Sequence, residues 1–465
     1  MRVLLTHGYF IAEDEKEQQI MRPYPPLGLL YISAFLSQQG IENSVFDSTF
    51  SDKPSLFARI EKEQPDVLAI YANLMTKVNV LHIAKTCKSI SPGTKIIMGG
   101  PDVTYNTENY LKNGADYIVI GEGENTMLEL VEHLSRPDES ELSAIAGLAF
   151  SNDEGEVIKT AARTKVRDID ELPIPDRDAI PIRKYLDAWK ERHGQNALSV
   201  STQRGCPYTC KWCSTAVYGQ SYRRRAPAKV VAELKLIQEK YNPDTIWFVD
   251  DVFTVSHKWL REFCAELEKE KVRIPFECIS RADRMNEEVI GLLKKAGCFR
   301  VWIGAESGSQ KIIDAMDRRV SVDQVRNMIV ETQKQGIEAG TFIMLGYPGE
   351  TEEDIEETIN HLKISNPDHF TITVAYPIKG TSLYSEIEAK KTTEPDWHLS
   401  TDRDIDFERT YPRKYYDYAV RKVISEVNYH KQKLVKPLSV SSFKLKGKSL
   451  ASSMAMKLIK NRILK

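Results

Sequence analysis

Short apolar segments alternate with longer amphipathic segments over the first third of the chain, to about residue 134. The apolar segments predict strands at residues 3–6, 42–47, 67–71, 95–98 and 117–120. The amphipathic segments predict helices at residues 28–39, 56–62, 78–89, 107–113 and 125–134. Strands and helices that alternate in this way favour a parallel sheet covered by helices on both faces, a Rossmann-like α/β domain.

Glycines and polar residues follow the last three of these strands. In open parallel sheets, ligands bind beyond the carboxyl ends of the strands, and glycine lets the backbone approach a ligand closely. Ordinary turns explain the same glycines about as well. The candidate ligand-binding residues are Asn73, Thr76, Gly99, Gly100, Pro101, Gly121, Glu122 and Gly123.

Residues 141–195 are expected to connect two domains. A hairpin is predicted at residues 147–151 and 155–160, and Pro173 and Pro175 favour a stiff extended link because proline resists both helix and central strand.

The strand–loop–helix pattern resumes at residue 197 and repeats through six units. Predicted strands are 197–203, 245–250, 276–279, 300–303, 341–345 and 370–375, and predicted helices are 227–241, 258–270, 287–296, 322–335 and 353–365. Six such units favour a partial (β/α)6 TIM-type barrel, in which reactive groups lie on loops at the carboxyl ends of the strands.

Composition narrows the class of protein. The 465 residues include 42% hydrophobic residues, which suits a soluble protein of several domains. A net charge of −2 gives no reason to expect a nucleic-acid partner. Seven cysteines in so long a chain favour a reducing compartment, and we expect the protein to be cytoplasmic. No apolar run is long enough for a signal peptide or a transmembrane segment.

Three cysteines, Cys206, Cys210 and Cys213, have CxxxCxxC spacing within one loop. A structural zinc site or a ferredoxin site would want a fourth ligand at suitable spacing, and the next cysteine, Cys264, is far downstream. Three thiolates on one inorganic cluster leave one iron open. The alternative is three core cysteines that happen to fall together.

This loop resembles the cluster-binding loop of radical S-adenosylmethionine (SAM) enzymes. The resemblance implies that the three cysteines hold a [4Fe-4S] cluster whose open iron is chelated by SAM. The first third of the chain, with residues 22–29 and the glycine loops, is similar to the cobalamin-binding domain of one subclass. That subclass includes magnesium-protoporphyrin monomethyl ester oxidative cyclase and C-methyltransferases.

The chain departs from two motifs known in related proteins. The cobalamin-binding pattern Asp-x-His-x-x-Gly is absent around His7, His82 and His133, so no protein ligand to cobalt is predicted. The domain either binds cobalamin without such a histidine or is vestigial. The Gly-Gly-Glu pattern after the second barrel strand is replaced by Val249-Asp250-Asp251, which leaves the binding of the SAM amino group unassigned.

The resemblance also implies roles for individual residues. Trp212 corresponds to the aromatic residue beside the adenine of SAM, and Ser280, Arg281, Glu306 and Ser307 match positions that contact its ribose and methionyl part. Salt bridges at the barrel rim are the alternative for these four.

Asp250 and Asp251 are the candidate catalytic residues. Paired carboxylates that open into a barrel can bind substrate or accept a proton. Capping of the following segment at the barrel rim is the alternative.

The resemblance implies reductive cleavage of SAM, removal of hydrogen from an unactivated carbon of a small-molecule or lipid substrate, and methyl transfer from methylcobalamin. A second SAM would then remethylate cob(I)alamin. An external donor such as flavodoxin or ferredoxin would supply electrons. The first alternative is a radical oxidation, cyclisation, ring contraction or dehydration without methyl transfer. The second is a non-catalytic cluster or cobalamin sensor or electron-transfer protein.

The expected domains are 1–140 (cobalamin-binding), 141–195 (connector), 196–382 (radical SAM barrel) and 383–465 (C-terminal). The C-terminal region is expected to be mostly helical and to cap the substrate. Its tail has no acidic residue after Glu426 but carries Lys444, Lys446, Lys448, Lys457, Lys460, Arg462 and Lys465. The tail is expected to be disordered in solvent or to lie on an anionic membrane surface.

Overall fold

The computed structural model describes residues 1–137, 141–213, 219–393, 395–436 and 439–463. Lys465 of the basic tail lies outside these residues. The chain forms two compact units. The first unit comprises the described residues of Met1–Pro207, Thr215–Trp247 and Asp396–Thr401, and the second unit those of Tyr208–Ser214, Phe248–Pro395 and Asp402–Lys465.

A seven-stranded sheet organises the first unit. Its strands are β1 (Val3–His7), β2 (Asn43–Phe46), β3 (Val67–Tyr71), β4 (Lys95–Gly99), β5 (Tyr117–Val119), β6 (Leu148–Ser151) and β7 (Val157–Lys159). Their order is β2-β1-β3-β4-β5-β6-β7, in which β1 to β5 are parallel and β6 and β7 antiparallel. The order reverses between β1 and β3, which makes their carboxyl ends a topological switch point where α/β sheets bind ligands.

Helices accompany this sheet along the described part of the chain. They are α1 (Glu15–Ile20), α2 (Leu27–Gln38), α3 (Lys53–Glu63), α4 (Lys77–Ile90), α5 (Pro101–Tyr105), α6 (Thr107–Lys112), α7 (Gly123–Ser135) and α8 (Ile182–His193). Leu68, Ile96 and Ile118 on the central strands are fully buried, as continuous apolar strands of a parallel sheet require. The alternation of strand and helix expected from the sequence is confirmed.

A second sheet has six strands in the order β15-β14-β13-β12-β11-β8. Registers from β12 to β15 are parallel, in keeping with the expected partial barrel. The remaining strands are β8 (Ala197–Val200), β9 (Gln203–Arg204), β10 (Arg223–Arg224), β11 (Thr245–Phe248), β12 (Phe276–Ser280), β13 (Cys298–Glu306), β14 (Glu338–Leu345), β15 (His369–Val374), β16 (Lys391–Thr393) and β17 (Asp406–Phe407). The α/β fold class is confirmed.

The other helices are α9 (Pro227–Lys240), α10 (His257–Glu270), α11 (Glu287–Ala296), α12 (Gln310–Ala315), α13 (Val322–Lys334), α14 (Glu352–Ser365), α15 (Ser382–Ile387), α16 (Arg413–Val435) and α17 (Val440–Ile463). The ends of α11 match the prediction because its caps are local. The Asn286 side chain accepts a hydrogen bond from the Val289 amide at 2.9 Å, and Gly297 ends the helix with φ +97°.

The structure differs from expectation in the connector and the tail. The predicted hairpin forms, but β6 pairs with β5 and therefore extends the first sheet. The expected link contains the amphipathic helix α8, which buries Tyr185, Leu186 and Trp189. The expectation of a disordered tail is wrong for 440–463, which form α17. Of the helices described, none has a stretch both long enough and apolar enough to span a bilayer.

Candidate functional site

A cavity of about 240 Å³ lies in the first unit. Its lining comes from β1, β3, β4 and β5, from the loops after β4 and β5, from α2 and α7, and from Arg204. The lining includes five of the eight predicted ligand-binding residues, Gly99, Gly100, Gly121, Glu122 and Gly123. Leu29, Ile32, Tyr71, Ile97 and Met127 supply apolar surface. The cavity is thus mostly apolar with a few charged groups, as cofactor sites are.

Two glycines of this lining need the conformational freedom of glycine. Gly100 has φ +117°, and a Cβ there would clash with the carbonyl oxygen of Ala72. Gly121 has φ +86°, but a Cβ there would meet no protein atom within 4 Å. The first glycine is therefore required by the packing of the protein itself. The second leaves open space beside the cavity, as expected for a backbone that a ligand approaches closely.

Buried charges surround one part of the cavity. Arg204 donates hydrogen bonds to both carboxylate oxygens of Glu124, one at 3.2 Å, and its guanidinium lies 5.4 Å from the Tyr31 ring centroid. Glu122 forms an ion pair with Arg223 at 2.5 Å and accepts a hydrogen bond from the Val166 amide at 2.9 Å. Arg204, Glu122 and Glu124 are each less than 7% exposed, so each charge depends on its partner.

Arg204 and Glu124 were not predicted as site residues. Both stand beside predicted ones in the sequence, since Arg204 precedes Cys206 by two positions and Glu124 follows Gly123. The feature of the sequence that could have identified them is a charged residue close to a predicted site loop.

Asn73, Thr76 and Pro101 are not among the residues that line the cavity. The Asn73 side chain accepts hydrogen bonds from the amides of Met75 and Thr76 at 2.9 and 3.1 Å, which shapes the turn before α4. Thr76 accepts a hydrogen bond from the Asn73 amide at 3.1 Å. Pro101 is the first residue of α5, where its missing N–H costs nothing.

No histidine is among the cavity-lining residues of the described chain. His7 instead pairs with Asp47, with 3.0 Å between Nε2 and Oδ1. Burial acts to raise the pKa of Asp47, but the contact with His7 and the hydrogen bonds from Thr49 together hold that pKa below the ordinary value. Tyr185 also donates to Asp47 at 3.0 Å. These contacts give His7 a structural role.

The cysteine loop is held within the second unit by hydrogen bonds on both sides of Cys210. The Thr209 hydroxyl donates to Asp317 at 2.7 Å, the Lys211 amide donates to the Met316 carbonyl at 3.1 Å, and the Cys213 amide donates to the Cys210 carbonyl at 3.1 Å. Cys206, in the first unit, is buried. Among the described residues, no three His, Cys, Asp or Glu side chains are arranged to hold a single metal ion.

Two arginines contact the sulfur of Cys210. Arg281 Nη1 and Arg318 Nη1 each lie 3.6 Å from Cys210 Sγ. Arg281 also donates to Asp283 at 2.8 Å and to the Arg318 carbonyl at 2.6 Å, and its guanidinium lies 3.9 Å from the Tyr208 ring centroid. Arg281 was a predicted site residue. Arg318 was not, because the sequence Asp317-Arg318-Arg319 is typical of an exposed turn.

Glu306 lies beside Arg318 at the end of β13. Its carboxylate is 3.4 Å from Arg318 Nη2 and its backbone has φ +65°, a conformation that costs energy for any residue with a Cβ. Burial raises the pKa of Glu306, while the charges of Arg318 and Arg281 act in the opposite direction. Strain and burial together mark Glu306 as a functional candidate.

The serines and the tryptophan of the predicted SAM site have ordered surroundings. Ser280 is hydrogen-bonded to Thr254, and Ser307 to Thr358 at 3.2 Å.

Trp212 packs against an apolar cluster that includes Met316, Met344 and Tyr347. Its indole Nε1 is buried and has no hydrogen-bond partner among the described residues. A buried indole N–H without a partner is uncommon and fits a site that a ligand completes.

Asp250 and Asp251 follow β11. Asp250 is 2% exposed, and Asp251 occupies an exposed position of the chain. Protein atoms around the carboxyl group reduce its contact with water, and this desolvation together with the charge of Asp250 raises the pKa of Asp251. A raised pKa suits a carboxylate that takes up a proton.

The residues present fit the implied cofactors. Guanidinium groups on Cys210 can compensate the negative charge of a thiolate that ligates iron. Open space at Gly121 and the adjoining apolar cavity suit a flat macrocycle approached by backbone.

Comparison with known proteins agrees with this fit. Residues 20–131 match the B12 binding domain, and residues 200–362 match the radical SAM superfamily. An uncharacterized methyltransferase of Pyrococcus horikoshii, PH0819, is 33% identical over 77% of this chain and 78% of its own. The anaerobic magnesium-protoporphyrin IX monomethyl ester cyclase of Rubrivivax gelatinosus is 26% identical over 84% of this chain and 70% of its own.

A solved structure shows the same fold at low sequence identity. The cobalamin-dependent SAM radical enzyme OxsB, with aqua-cobalamin bound, aligns with TM-score 0.76 and 17% identity over 99% of this chain and 76% of its own. The chain therefore belongs to the radical SAM proteins with an N-terminal B12-binding domain, whose cofactors are a [4Fe-4S] cluster, SAM and cobalamin.

Proposed function

We propose that this protein cleaves SAM reductively, removes hydrogen from an unactivated carbon of a small-molecule or lipid substrate, and methylates that carbon. The observation that carries the proposal is the glycine-lined cavity of about 240 Å³, lined mostly by the segment that matches the B12 binding domain. Likeness to a methyltransferase over 77% of the chain supports methyl transfer as the outcome.

When bound, the cluster and SAM supply a 5'-deoxyadenosyl radical, and cobalamin supplies the methyl group. In the proposal, Cys206, Cys210 and Cys213 ligate the cluster. Arg281 and Arg318 stabilise the charge on Cys210 through the two contacts of 3.6 Å. Buried donors of this kind act strongly because the surroundings have a low dielectric constant.

Trp212, Ser280, Arg281, Glu306 and Ser307 are proposed to bind SAM. Glu306 offers carboxylate oxygens to the amino or hydroxyl groups of SAM, and Arg318 keeps it oriented from 3.4 Å away. Trp212 offers an aromatic face to adenine from a position fixed by Met316 and Tyr347.

Asp250 and Asp251 are proposed to bind the substrate or to accept a proton from it. The raised pKa of Asp251 supports this assignment, since a carboxylate that resists ionisation is the better proton acceptor.

Cobalamin is proposed to bind along the cavity. Gly99, Gly100, Gly121, Glu122 and Gly123 would give it backbone and open space, and Asn73, Thr76 and Pro101 would shape the neighbouring loops. Arg204 and Glu124 add paired charges to the lining.

The test is anaerobic reconstitution with iron and sulfide, followed by incubation with SAM and dithionite. The intact protein should show cluster absorbance and release 5'-deoxyadenosine. Cys206→Ala, Cys210→Ala and Cys213→Ala should each lose the cluster absorbance, whereas Cys264→Ala, a buried cysteine outside the motif, should keep it. A motif variant that retains its cluster would refute the ligand assignment.

Radical chemistry without methyl transfer is a second candidate, supported by the likeness to a cyclase over 84% of the chain. The two candidates differ in their second product, since only methyl transfer converts SAM into S-adenosylhomocysteine. A protein that binds cluster and cobalamin without releasing 5'-deoxyadenosine would instead be a sensor or an electron-transfer protein.

The electron donor in the proposal is a flavodoxin or ferredoxin, because the cluster must be reduced in each turnover. A nucleic-acid partner is not proposed for a chain with net charge −2.

A further inference from the structure

The final helix, α17, carries large apolar residues on its exposed side. Its buried residues are mostly small and polar, whereas its large apolar residues face outward. The buried residues are Ser442, Ser449, Ser452 and Met456, and the exposed ones are Val440, Phe443, Leu450, Met454 and Leu458, each more than 50% exposed. At about 100° per residue, positions 443, 450, 454 and 458 fall within about 80° of one another, on the side of the helix opposite the buried residues.

The outward residues therefore form one continuous apolar stripe on α17. Leu434 and Val435 at the end of α16 are also exposed, by 66% and 76%. Single exposed apolar residues are ordinary on a protein surface, but a contiguous stripe marks an interaction site.

Positive charge borders the stripe on both sides. Lys444 and Lys457 are exposed and lie on opposite flanks at helical spacing, and Lys448 lies further round. No aspartate or glutamate occurs after Glu426. Glu426 itself is engaged by Lys446 at 2.8 Å, by Lys363 at 2.9 Å and by Ser449 at 2.6 Å. The exposed face thus combines large apolar side chains with exposed lysines.

We propose that α17 docks the protein on a membrane surface rich in anionic lipid, with Phe443, Leu450, Met454 and Leu458 inserted among the acyl chains and the flanking lysines at the headgroups. An apolar face bordered by lysine is the composition of helices that lie in the membrane interface. Each lysine near an anionic leaflet adds attraction. A second copy of this chain fits the stripe less well, because pairing would bring two lysine-flanked faces together with no carboxylate between them.

The proposal is tested by co-sedimentation of the full-length protein with large unilamellar vesicles. Vesicles of 3:2 phosphatidylcholine to phosphatidylglycerol should retain the protein at least tenfold more strongly than pure phosphatidylcholine. Binding should weaken in high salt because salt screens the attraction between lysines and headgroups. Lack of sedimentation with anionic vesicles would overturn the proposal.

Matched variants assign the binding to α17. The double variant Phe443→Ser/Met454→Ser should bind anionic vesicles at least tenfold more weakly. The control Leu236→Ser/Ile364→Ser removes two apolar side chains of α9 and α14, 44% and 63% exposed, and should bind as the wild type does. If both variants lost vesicle binding equally, or if neither lost it, the assignment of binding to α17 would be overturned.

Charge and oligomeric state give independent readouts. Lys444→Glu/Lys448→Glu keeps the apolar stripe and should reduce binding to anionic vesicles. Thermal melting of each variant checks that the fold is retained. A dimer in light scattering that Phe443→Ser/Met454→Ser abolishes, without vesicle binding by the wild type, would show that a second copy covers the stripe and would overturn the proposal.

Discussion

At the scale of single residues, glycine and arginine determine the two parts of the candidate site. Gly121 leaves open space beside the cavity, and arginines place positive charge near Cys210 and Glu306. Each kind of residue allows a matched experiment. For the glycine, the chain offers a control glycine with a similar backbone conformation. For the arginine, it offers a control arginine of the same charge.

Gly121→Ala should weaken the binding of hydroxocobalamin at least tenfold, or about 1.4 kcal/mol. The new Cβ would occupy the open space beside the cavity. Absorbance titration of the purified protein measures this affinity.

Gly155→Ala is the matched control. Gly155 has φ +82° against +86° for Gly121, also has no protein atom within 4 Å of a Cβ, and is not a lining residue of the cavity. Both variants should lose roughly 1 kcal/mol of stability because alanine is strained at positive φ. Equal cobalamin affinity of the two variants would refute the role of Gly121.

Arg318→Ala should lower the free energy of unfolding by about 3–5 kcal/mol, because it leaves the buried Glu306 carboxylate without its nearest partner. The neighbouring Arg319 pairs with Asp317 at 2.9 Å but is 70% exposed, so Arg319→Ala should cost less than about 1 kcal/mol. Urea unfolding followed by tryptophan fluorescence compares the two. Similar losses would mean that the Arg318–Glu306 pair is not an important buried contact.

Residues that belong to a local motif could be predicted from the sequence. Residues that are distant along the sequence and come to the site only in the folded protein could not. The glycines after β4 and β5 were predicted because a loop after a strand is a local feature. Arg318 reaches Cys210 across 108 positions of sequence, and no local pattern distinguishes it from the exposed Arg319 beside it.

At the scale of elements, local signals decided which predictions succeeded. Helix α11 was predicted to the residue because its Asn286 and Gly297 caps lie in the sequence itself. Helix α8 was missed because prolines nearby favoured an extended link, and β6 was not expected to join the first sheet because pairing partners are not local. Helix α17 lies in a C-terminal region that was expected to be mostly helical, but the basic residues after Glu426 favoured a disordered tail.

Glu426 of α16 makes polar contacts with Lys446 and Ser449 of α17. Burial acts to raise the pKa of Glu426, but Lys446, Ser449 and Lys363 lower it to about 2. Since the folded-state pKa lies below the ordinary value of 4.5, this stabilisation is present above about pH 5 and is lost as the pH falls toward 2.

Glu426→Gln should therefore loosen α17 at neutral pH. Hydrogen exchange across residues 440–463 should be faster in this variant, and the wild type should lose protection between pH 5 and pH 3 after correction for intrinsic exchange rates. Glu356→Gln, which removes the partner of Lys422 on α16, is the control and should leave α17 protected. Unchanged protection in Glu426→Gln would show that other contacts retain the helix.

At the scale of the whole molecule, one chain combines a B12-binding segment at residues 20–131 with a radical SAM segment at residues 200–362. The radical SAM segment was recognisable from the fixed spacing of Cys206, Cys210 and Cys213, and the B12-binding segment from residues 22–29 and the glycine loops after its strands. Substrate identity was not, since the C-terminal region has no comparable motif. The central claim is that both cofactors serve one methylation reaction.

The most direct test of that claim is product analysis of the reconstituted protein, loaded with cluster and cobalamin, during anaerobic incubation with SAM and dithionite. We predict that 5'-deoxyadenosine and S-adenosylhomocysteine both form, and that Cys210→Ala forms no 5'-deoxyadenosine. Release of 5'-deoxyadenosine without S-adenosylhomocysteine would contradict methyl transfer, and release of neither product would contradict the account as a whole.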